Sequence, residues 1–232
     1  KRIKQAIDAT VDHKFVVPAN SKYVTTEHND QGLKLTLSDT SGHRYYHQSP
    51  EQAVVLLDAE EVTMDDVIKV LNEACLEVVP ANVAKINLKL STEAITGNYY
   101  HYAHGLKKHL GDCQRIAHGH RSRIHIFDNG QRSQKLEAFW SEKWEDIYIG
   151  TEEDLIEPEV ESSKDYYRFA YTSEQGYFSL EIPKARCHIM KNDSTVELIA
   201  NHILKQLKVL EPNAKLEVKA FEGVNKGAIA HG

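Results

Sequence analysis

The sequence predicts an α+β fold in which one set of helices and strands occurs twice along the chain. Three observations support this: two amphipathic helical patterns that match one another, alternating strand patterns on either side of each, and an ordinary globular composition. Of the 232 residues, 41% are hydrophobic and 27% are charged, which is enough apolar material to bury a substantial core.

The two helical patterns lie 132 residues apart, since Thr63 aligns with Thr195 (195 − 63 = 132). From Met64 and from Val196, apolar residues recur at i, i+3, i+4, i+7 and i+11, which is the stripe of an amphipathic helix. A proline ends each pattern, as is usual where a helix stops. The sequence therefore predicts two matching helices.

Strand patterns stand in the same order around both helices. Each helix follows a Gln-Gly turn and a strand, which are QGLKLTL from Gln31 and QGYFSLEI from Gln175. Each helix also precedes an alternating segment, AKINLKLS (84–91) or AKLEVKAFE (214–222), and both segments are predicted to be strands. The shared order predicts a tandem duplication.

We place the boundary between the copies at Gly97, so that the copies are residues 1–97 and 98–232. The second copy opens with a predicted hairpin of YYHYAHGL and RSRIHIF, which the first copy lacks. The acidic and proline-broken segment EEDLIEPEVESSKD (152–165) is predicted to be an exposed loop or a flexible segment.

The charge and composition of the chain exclude several classes of protein. The formal net charge of −6 does not favour broad nucleic-acid binding, and no apolar run reaches the roughly 18 residues that a membrane span needs. Three cysteines make no even set for disulfides, so we expect a cytoplasmic protein. Because the chain begins at Lys1, inside the predicted helix KRIKQAIDATV, we also expect that an N-terminal piece precedes it.

Three histidines are predicted to share one site on the hairpin. His118 and His120 are two residues apart on a strand and therefore point to the same face, and His104 lies on the predicted partner strand. Three imidazoles on neighbouring strands can make an open tetrahedral zinc site that leaves one position for substrate. The alternative is that they are surface or hydrogen-bonded histidines, since the chain has 13 of them.

Cys113 lies in the loop of the hairpin, close to Arg115 and to the predicted metal. A thiol in such surroundings can act as a base or a nucleophile. The alternative is a small buried hydrophobic residue, which is the role we expect for Cys75, on the helix stripe, and for Cys187.

The motifs of the second copy are YAHGL, then Cys113, then HGH, followed by DSTVELIANHI and VKAFEGVNKGAI. In this order they resemble the 6-pyruvoyl-tetrahydropterin synthase and 6-carboxy-tetrahydropterin synthase family over nearly all of residues 98–232. The resemblance implies the tunnelling fold, which has antiparallel sheets with paired helices on one face, here copied twice. It also implies a homo-oligomer, because that family assembles its subunits into a barrel.

The resemblance implies a role for each matched residue. His104, His118 and His120 would hold Zn²⁺, and Cys113 would transfer protons. Glu222 would bind the N–H groups of a pterin ring, because a carboxylate accepts two parallel donors.

Three further residues are candidates for a pterin pocket, either through the resemblance or through their place in the matched copies. Thr195 and Glu197 match the part of the motif that lines the pterin pocket. Ser194-x-x-Glu197 also has the spacing of a helix capping box, so both interpretations stay open. Glu93, near the end of the first copy, is the counterpart of Glu222 if one gap is allowed.

The Asp-His pair that the family carries after its first helix is divided in this sequence. Asp146 stands at the expected place in the second copy but is followed by Ile147, whereas Asp12-His13 follows the first helix of the first copy. Because the family builds its site between subunits, we expect the two copies to build one composite site in which Asp12 orients His13. His188 is a weaker candidate for the missing histidine, and a helix-end pair without a catalytic role is the alternative for Asp12 and His13.

The implied activity is that of a zinc-dependent lyase that acts on 7,8-dihydroneopterin triphosphate and gives 6-carboxy- or 6-pyruvoyl-tetrahydropterin, for either queuosine or tetrahydrobiopterin biosynthesis. A local basic cluster would attract the triphosphate; it consists of Lys107, Lys108, Arg115, Arg121 and Arg123. The alternatives are a catalytically inactive metal- or pterin-binding protein of this fold and another pterin or purine enzyme built on it.

Overall fold

The computed structural model describes residues 1–159 and 163–232. Within these residues the α-helices are α1 (Arg2–Val11), α2 (Met64–Val78), α3 (Gln134–Lys143) and α4 (Val196–Leu210). The strands described are β1 (Phe15–Pro18), β2 (Val24–Asn29), β3 (Gly32–Ser38), β4 (Arg44–Ser49), β5 (Val54–Leu57), β6 (Tyr99–His104), β7 (His118–Asp128), β8 (Gln131–Arg132), β9 (Ile147–Thr151), β10 (Leu155–Ile156), β11 (Tyr166–Ser173), β12 (Gly176–Pro183), β13 (Cys187–Met190), β14 (Leu216–Phe221) and β15 (Gly227–His231). Part of the predicted loop at 152–165 lies outside the described residues.

The chain divides into two compact units, each assembled from separate stretches of sequence. The first unit contains residues 1–92, 107–118 and 156–183, and the second contains 93–106, 119–155 and 184–232. These units do not coincide with the two predicted sequence copies, so the boundary at Gly97 stays a prediction about the repeat.

The two matched helices form where their periodicity predicts them. Helices α2 and α4 are both 15 residues long and begin 132 residues apart, at Met64 and Val196 (196 − 64 = 132). Thr63 begins α2 with a capping box, because its hydroxyl accepts from the Asp66 N–H and the Asp66 carboxylate accepts from the Thr63 N–H. None of the helices in the described residues is long and apolar enough to cross a membrane.

The first unit contains two sheets. Strands β1 and β5 pair in parallel, and a second sheet has the order β10-β11-β12-β4-β3-β2, in which β11, β12, β4, β3 and β2 pair antiparallel with their neighbours. Leu33 and Leu35 on β3 are buried with Val17 and Val54, while Lys34 between them faces the other side. One face of this sheet therefore builds the core and the opposite face carries polar side chains.

The second unit contains a mixed sheet with the order β13-β9-β6-β7-β14-β15, and β8 pairs with β7. Strand β9 pairs in parallel with β6 and β13, whereas β14 pairs antiparallel with β7 and β15. The stripe of α4 packs on this sheet, and Ile203, Leu207, Trp140, Tyr100 and Val218 meet in one fully buried cluster. Burial of such side chains contributes roughly 1.5–3 kcal/mol each. The predicted α+β class with antiparallel sheets is confirmed.

One predicted strand is wrong. Residues 84–91 follow α2 with the expected alternation, and Ile86, Leu88 and Leu90 are half-buried, but no strand forms there. The matching strand β14 pairs with β7, a strand of the opening hairpin. The first copy lacks such a hairpin, so within the described residues 84–91 has no sheet neighbour to complete its backbone hydrogen bonds.

The order of elements nevertheless repeats along the chain. The series α1-β1-β2-β3-β4-β5-α2 is followed by the series α3-β9-β10-β11-β12-β13-α4. Helices α1 and α3 are both 10 residues long and also begin 132 residues apart (134 − 2 = 132). The same order of elements is therefore found on a longer stretch of chain than the two helices whose patterns match in the sequence.

Candidate functional site

Three predicted catalytic residues lie together in the first unit. Asp12 and His13 follow the end of α1, and His13 has a left-handed backbone with φ of 53°, which turns the chain sharply out of the helix. Asp12 Oδ1 lies 3.0 Å from His13 Nδ1, which is ion-pair distance without hydrogen-bond geometry, and His13 Nε2 lies 3.5 Å from Cys113 Sγ. A carboxylate, an imidazole and a thiol therefore contact one another in series, and we call these three residues the cysteine triad.

The three cysteines have different surroundings. Cys113 is half-buried in the 3-10 turn Gly111–Gln114, where its sulfur meets the imidazole of the triad. Cys75 is fully buried in α2, as predicted. Cys187 is also surrounded by protein, and burial raises the pKa of its thiol to about 12, so this thiol is far less reactive than an ordinary one.

Arg115 holds the cysteine triad together, a role that the sequence did not predict. Its guanidinium donates from Nη1 to the Asp12 carbonyl at 2.9 Å and from Nε to Gln175 Oε1 at 3.1 Å. Nη2 pairs with Asp112 at 2.7 Å. The side chain is only 8% exposed, and burial lowers the pKa of the guanidinium against the opposing effect of the Asp112 and Asp12 carboxylates. Nε, Nη1 and Nη2 of Arg115 are therefore all engaged inside the protein, and the attraction of a triphosphate by the basic cluster stays a prediction.

His118 lies beside the triad and has a fixed ring orientation. Its Nδ1 donates to the Arg115 carbonyl at 2.8 Å, which places the lone pair of the neutral ring on Nε2. The ring centroids of His13 and His118 are 5.1 Å apart. One ligand atom each from His13, Cys113 and His118 lies within 4.8 Å of the others.

The second unit brings His104 and His120 together on neighbouring strands. Their ring centroids are 5.1 Å apart and the rings are nearly perpendicular. His104 is fully buried on β6, and its Nδ1 lies 2.9 Å from Ser194 Oγ. Gly119 fits between the histidines of β7 because a Cβ there would come within 3.1 Å of the Tyr102 carbonyl oxygen on β6.

Strand β7 joins this pair to His118. The border between the units falls after His118, but β7 is one continuous strand, so His118 and His120 keep the i, i+2 spacing that puts them on one face. One nitrogen each from His104, His118 and His120 lies within 4.8 Å of the others. Three imidazole nitrogens are a donor set that suits Zn²⁺ and leaves a coordination position open, so the residues fit the metal that the resemblance implies.

Glu222 follows β14 and is largely enclosed. Its carboxylate is 9% exposed and pairs with Lys226. It lies close enough to Tyr100 and Tyr102 to add to the rise in the pKa of both phenols, which is caused mainly by their burial. The Tyr100 hydroxyl in turn accepts from the Phe221 N–H at 2.8 Å, so this segment of the chain is tied to the sheet.

The predicted capping box of Ser194 and Glu197 does not form. The residue that begins α4 is Thr195, and its side chain makes no capping hydrogen bond. Glu197 is exposed, and the Ser194 hydroxyl is used by His104 instead. A hydrogen-bond partner on the second ring nitrogen orients a metal-binding histidine, and Ser194 can serve as that partner for His104. The spacing of residues in the sequence does not indicate this contact.

The other candidates have different partners. Asp146 Oδ1 lies 2.5 Å from Nδ1 of His101. The Nε2 atoms of His188 and His202 are 2.7 Å apart, and burial, with a smaller contribution from His202, lowers the pKa of His188 to about 4.

Two arginines of the predicted basic cluster contact Glu93. Arg121 donates from Nη1 to the Glu93 carbonyl at 2.8 Å, and its guanidinium lies 4.1 Å from the centre of the Tyr99 ring. Arg123 Nε lies 3.9 Å from Glu93 Oε1. Glu93 therefore contacts arginines, whereas Glu222, of which it is the predicted counterpart, pairs with Lys226.

No protein-family model and no curated protein matches this sequence. Among solved structures, the Plasmodium falciparum 6-pyruvoyl tetrahydropterin synthase matches with a TM-score of 0.43 and 17% identity, over 58% of this chain and 91% of that chain. A catalytic-residue mutant of the Plasmodium vivax enzyme matches with a TM-score of 0.42 and 19% identity, over 58% and 91%. A further P. vivax structure of this synthase gives 0.41 and 18%, over 58% and 90%.

Proposed function

We propose that this protein is a zinc-dependent lyase that acts on 7,8-dihydroneopterin triphosphate and gives 6-carboxy- or 6-pyruvoyl-tetrahydropterin. The observation that carries the proposal is the contact series of the cysteine triad, in which His13 stands between Asp12 and the thiol of Cys113. Such a series is the arrangement that activates a thiol for proton transfer.

The triad acts on protons at defined atoms. His13 Nε2 accepts the proton of Cys113 Sγ, and Asp12 Oδ1 stabilises the imidazolium through Nδ1. The resulting thiolate removes a proton from a carbon of the substrate side chain, and the imidazolium can return one. The 3.5 Å contact favours direct proton exchange between these two groups.

His104, His118 and His120 would hold the zinc ion, which supplies Lewis acidity toward a substrate oxygen when bound. Ser194 and the Arg115 carbonyl orient two of these histidines through Nδ1. Glu222 would bind the N–H edge of the pterin, with Thr195 and Glu197 nearby in the proposed pocket. The substrate must then compete with Lys226 for the Glu222 carboxylate.

We also propose that the chain is a tandem duplicate with copies at 1–97 and 98–232, and that it works as a homo-oligomer in the cytoplasm. The repeated order of elements and the equal lengths of the matched helices support the duplication. The divided motifs support it too, because the Asp-His pair belongs to one copy and the cysteine to the other.

A second candidate function rests on the ligand atoms of His13, Cys113 and His118, which also lie within 4.8 Å of one another. A metal bound there would use the thiol as a ligand and leave no base for catalysis. The protein would then be a catalytically inactive metal-binding member of the same fold.

The experiment combines metal analysis with product analysis on the purified full chain. The variants are Cys113→Ser and His13→Ala, and the matched controls are Cys187→Ser and His28→Ala, since His28 also pairs with a carboxylate but on the surface. If the protein is a lyase, all four variants should keep about one zinc per chain. Only the two triad variants should lose activity, by roughly 10²–10⁴-fold. Full activity in His13→Ala would exclude the composite site, and loss of zinc in Cys113→Ser without any turnover by the wild type would favour the metal-binding alternative.

A further inference from the structure

The polar face of the six-stranded sheet in the first unit contains a cavity of about 490 Å³. This volume lies within the usual range of small-molecule sites, roughly 300–1,000 Å³. Its lining residues come from β2, β3, β4, β11 and β12, together with Gln31 and Glu159 outside the strands. All of them belong to the first unit, and none belongs to the cysteine triad.

Glu181 on β12 is the unusual residue of this cavity. It is 3% exposed, although it lies on the face that does not build the core. Its Oε2 accepts from the Glu159 N–H at 3.0 Å, but Oε1 has no hydrogen-bond partner among the residues that the structure describes. A buried carboxylate oxygen without a donor is costly, and such groups in folded proteins call for an explanation.

Two cationic side chains line the cavity, Lys34 and Arg168, and Arg168 is already engaged. Arg168 stands directly opposite Glu181 in the β11–β12 ladder, yet its Nη2 pairs with Glu159 at 2.5 Å and its Nε donates to Ser179 at 3.3 Å. Arg168 therefore borders the cavity without bonding Oε1 of Glu181. The cavity therefore contains a buried carboxyl group with one unpaired oxygen, an arginine whose Nη2 and Nε are engaged, and room for another molecule.

We propose that this cavity binds a small molecule through an amidinium or guanidinium head, and that Glu181 is the residue that binds the head. A planar cation with two parallel N–H donors offers a carboxylate the strongest common pairing and supplies the charge that the buried carboxylate needs. Tyr46, which lies opposite Glu181 in the β4–β12 ladder, and Tyr177 both line the cavity. Their rings offer flat surfaces to such a head.

The test uses benzamidine as the probe and benzamide as its neutral counterpart of nearly equal shape, with binding to the full chain measured by calorimetry. We expect benzamidine to bind and benzamide to bind at least roughly tenfold more weakly, because the carboxylate recognises the charged, two-donor head. Glu181→Gln should reduce benzamidine affinity by a similar factor. Glu60→Gln, which removes an exposed carboxylate of the same unit, should leave it unchanged.

A second measurement keeps the proposal testable if Glu181→Gln does not fold, which circular dichroism would reveal. Benzamidine should then shift the ring signals of Tyr46 and Tyr177 in NMR spectra of the tyrosine-labelled wild type, with Tyr23 as the exposed reference ring. Equal binding of benzamide, unchanged affinity in a folded Glu181→Gln, or the absence of both heat and ring shifts at millimolar probe would overturn the proposal. None of these readouts depends on pterin turnover.

Discussion

The Nη1 atom of Arg115 lies 2.9 Å from the backbone carbonyl oxygen of Asp12, so a buried guanidinium holds the turn that carries His13. The same side chain pairs with Asp112, which stands next to Cys113. Arg115 therefore connects the two backbone segments that supply the imidazole and the thiol of the cysteine triad. It is a positioning residue, because it contacts neither the thiol nor the imidazole by any of these bonds.

Arg115→Lys is expected to lower turnover strongly even though it keeps the positive charge. A lysine cannot reproduce the fork that reaches Asp12, Asp112 and Gln175 at once, and a buried acceptor left without its donor costs roughly 1–3 kcal/mol. We expect a fall of roughly tenfold or more in kcat, with a smaller change in KM, because a small displacement of reacting groups is costly.

The control for this prediction is Arg186→Lys, which changes an exposed arginine and should alter neither kcat nor the unfolding temperature. Thermal unfolding of both variants separates lost stability from lost positioning. A kcat for Arg115→Lys equal to that of the wild type would show that the hydrogen bonds to the two turns do not position the triad.

Ser194→Ala is expected to weaken zinc binding without removing any zinc ligand. Ser194 Oγ lies 2.9 Å from Nδ1 of His104, and both residues are fully buried, so the alanine leaves the ring without the partner that fixes its orientation. Loss of such a partner typically weakens metal affinity roughly 10–100-fold. Competition with a chromogenic chelator would measure it, and Ser38→Ala is a suitable control outside this unit. Unchanged affinity would remove Ser194 from the metal site.

Much of the fold follows from local sequence patterns. Helices α2 and α4 carry an apolar stripe with the helical period, and a proline follows each of them, so their positions depend on residues close in sequence. The pairing of His118 with His120 is equally local, because alternation along a strand decides it. These are the features that the sequence predicts correctly.

The remaining features depend on partners that are distant in sequence. Residues 84–91 alternate as well as the strand β14, but a strand needs a neighbour, and periodicity does not say whether one exists. Arg115 counts as one charge in a basic cluster until burial and its three partners are known. Ser194 has the spacing of a cap, yet a buried imidazole of β6 uses its hydroxyl.

Thr63→Ala and Thr195→Ala form a matched pair, because each threonine stands directly before one of the two 15-residue helices α2 and α4. Thr63 makes a complete capping box with Asp66, whereas Thr195 makes no side-chain capping bond. Thr63→Ala should therefore lower the free energy of unfolding by about 1 kcal/mol, and Thr195→Ala by much less. Urea unfolding measures both. If Thr195 lines the pterin pocket, Thr195→Ala should raise KM. An equal loss of stability in Thr63→Ala and Thr195→Ala would contradict the difference in capping.

His47 predicts how the stability of the first unit depends on pH. Its ring is 3% exposed, Nε2 lies 2.9 Å from Ser49 Oγ, and burial lowers its pKa to about 3 from the ordinary 6.5. Between these two values the unfolded chain binds a proton at His47 and the folded chain does not. The contribution of the neutral His47 ring to the free energy of unfolding is therefore complete above about pH 6.5. As the pH falls below that value, this contribution is lost by roughly 1.4 kcal/mol per pH unit.

His47→Gln removes this titration while keeping a polar group near Ser49. Urea unfolding of the wild type and the variant at several values between about pH 6 and pH 4 should give a steeper decline for the wild type, whatever the variant's stability at neutral pH. His28→Gln, which changes an exposed histidine of the same unit, should keep the wild-type slope. Parallel curves for the wild type and His47→Gln would mean that the buried ring takes up a proton in the folded state, so that its burial does not hold it neutral.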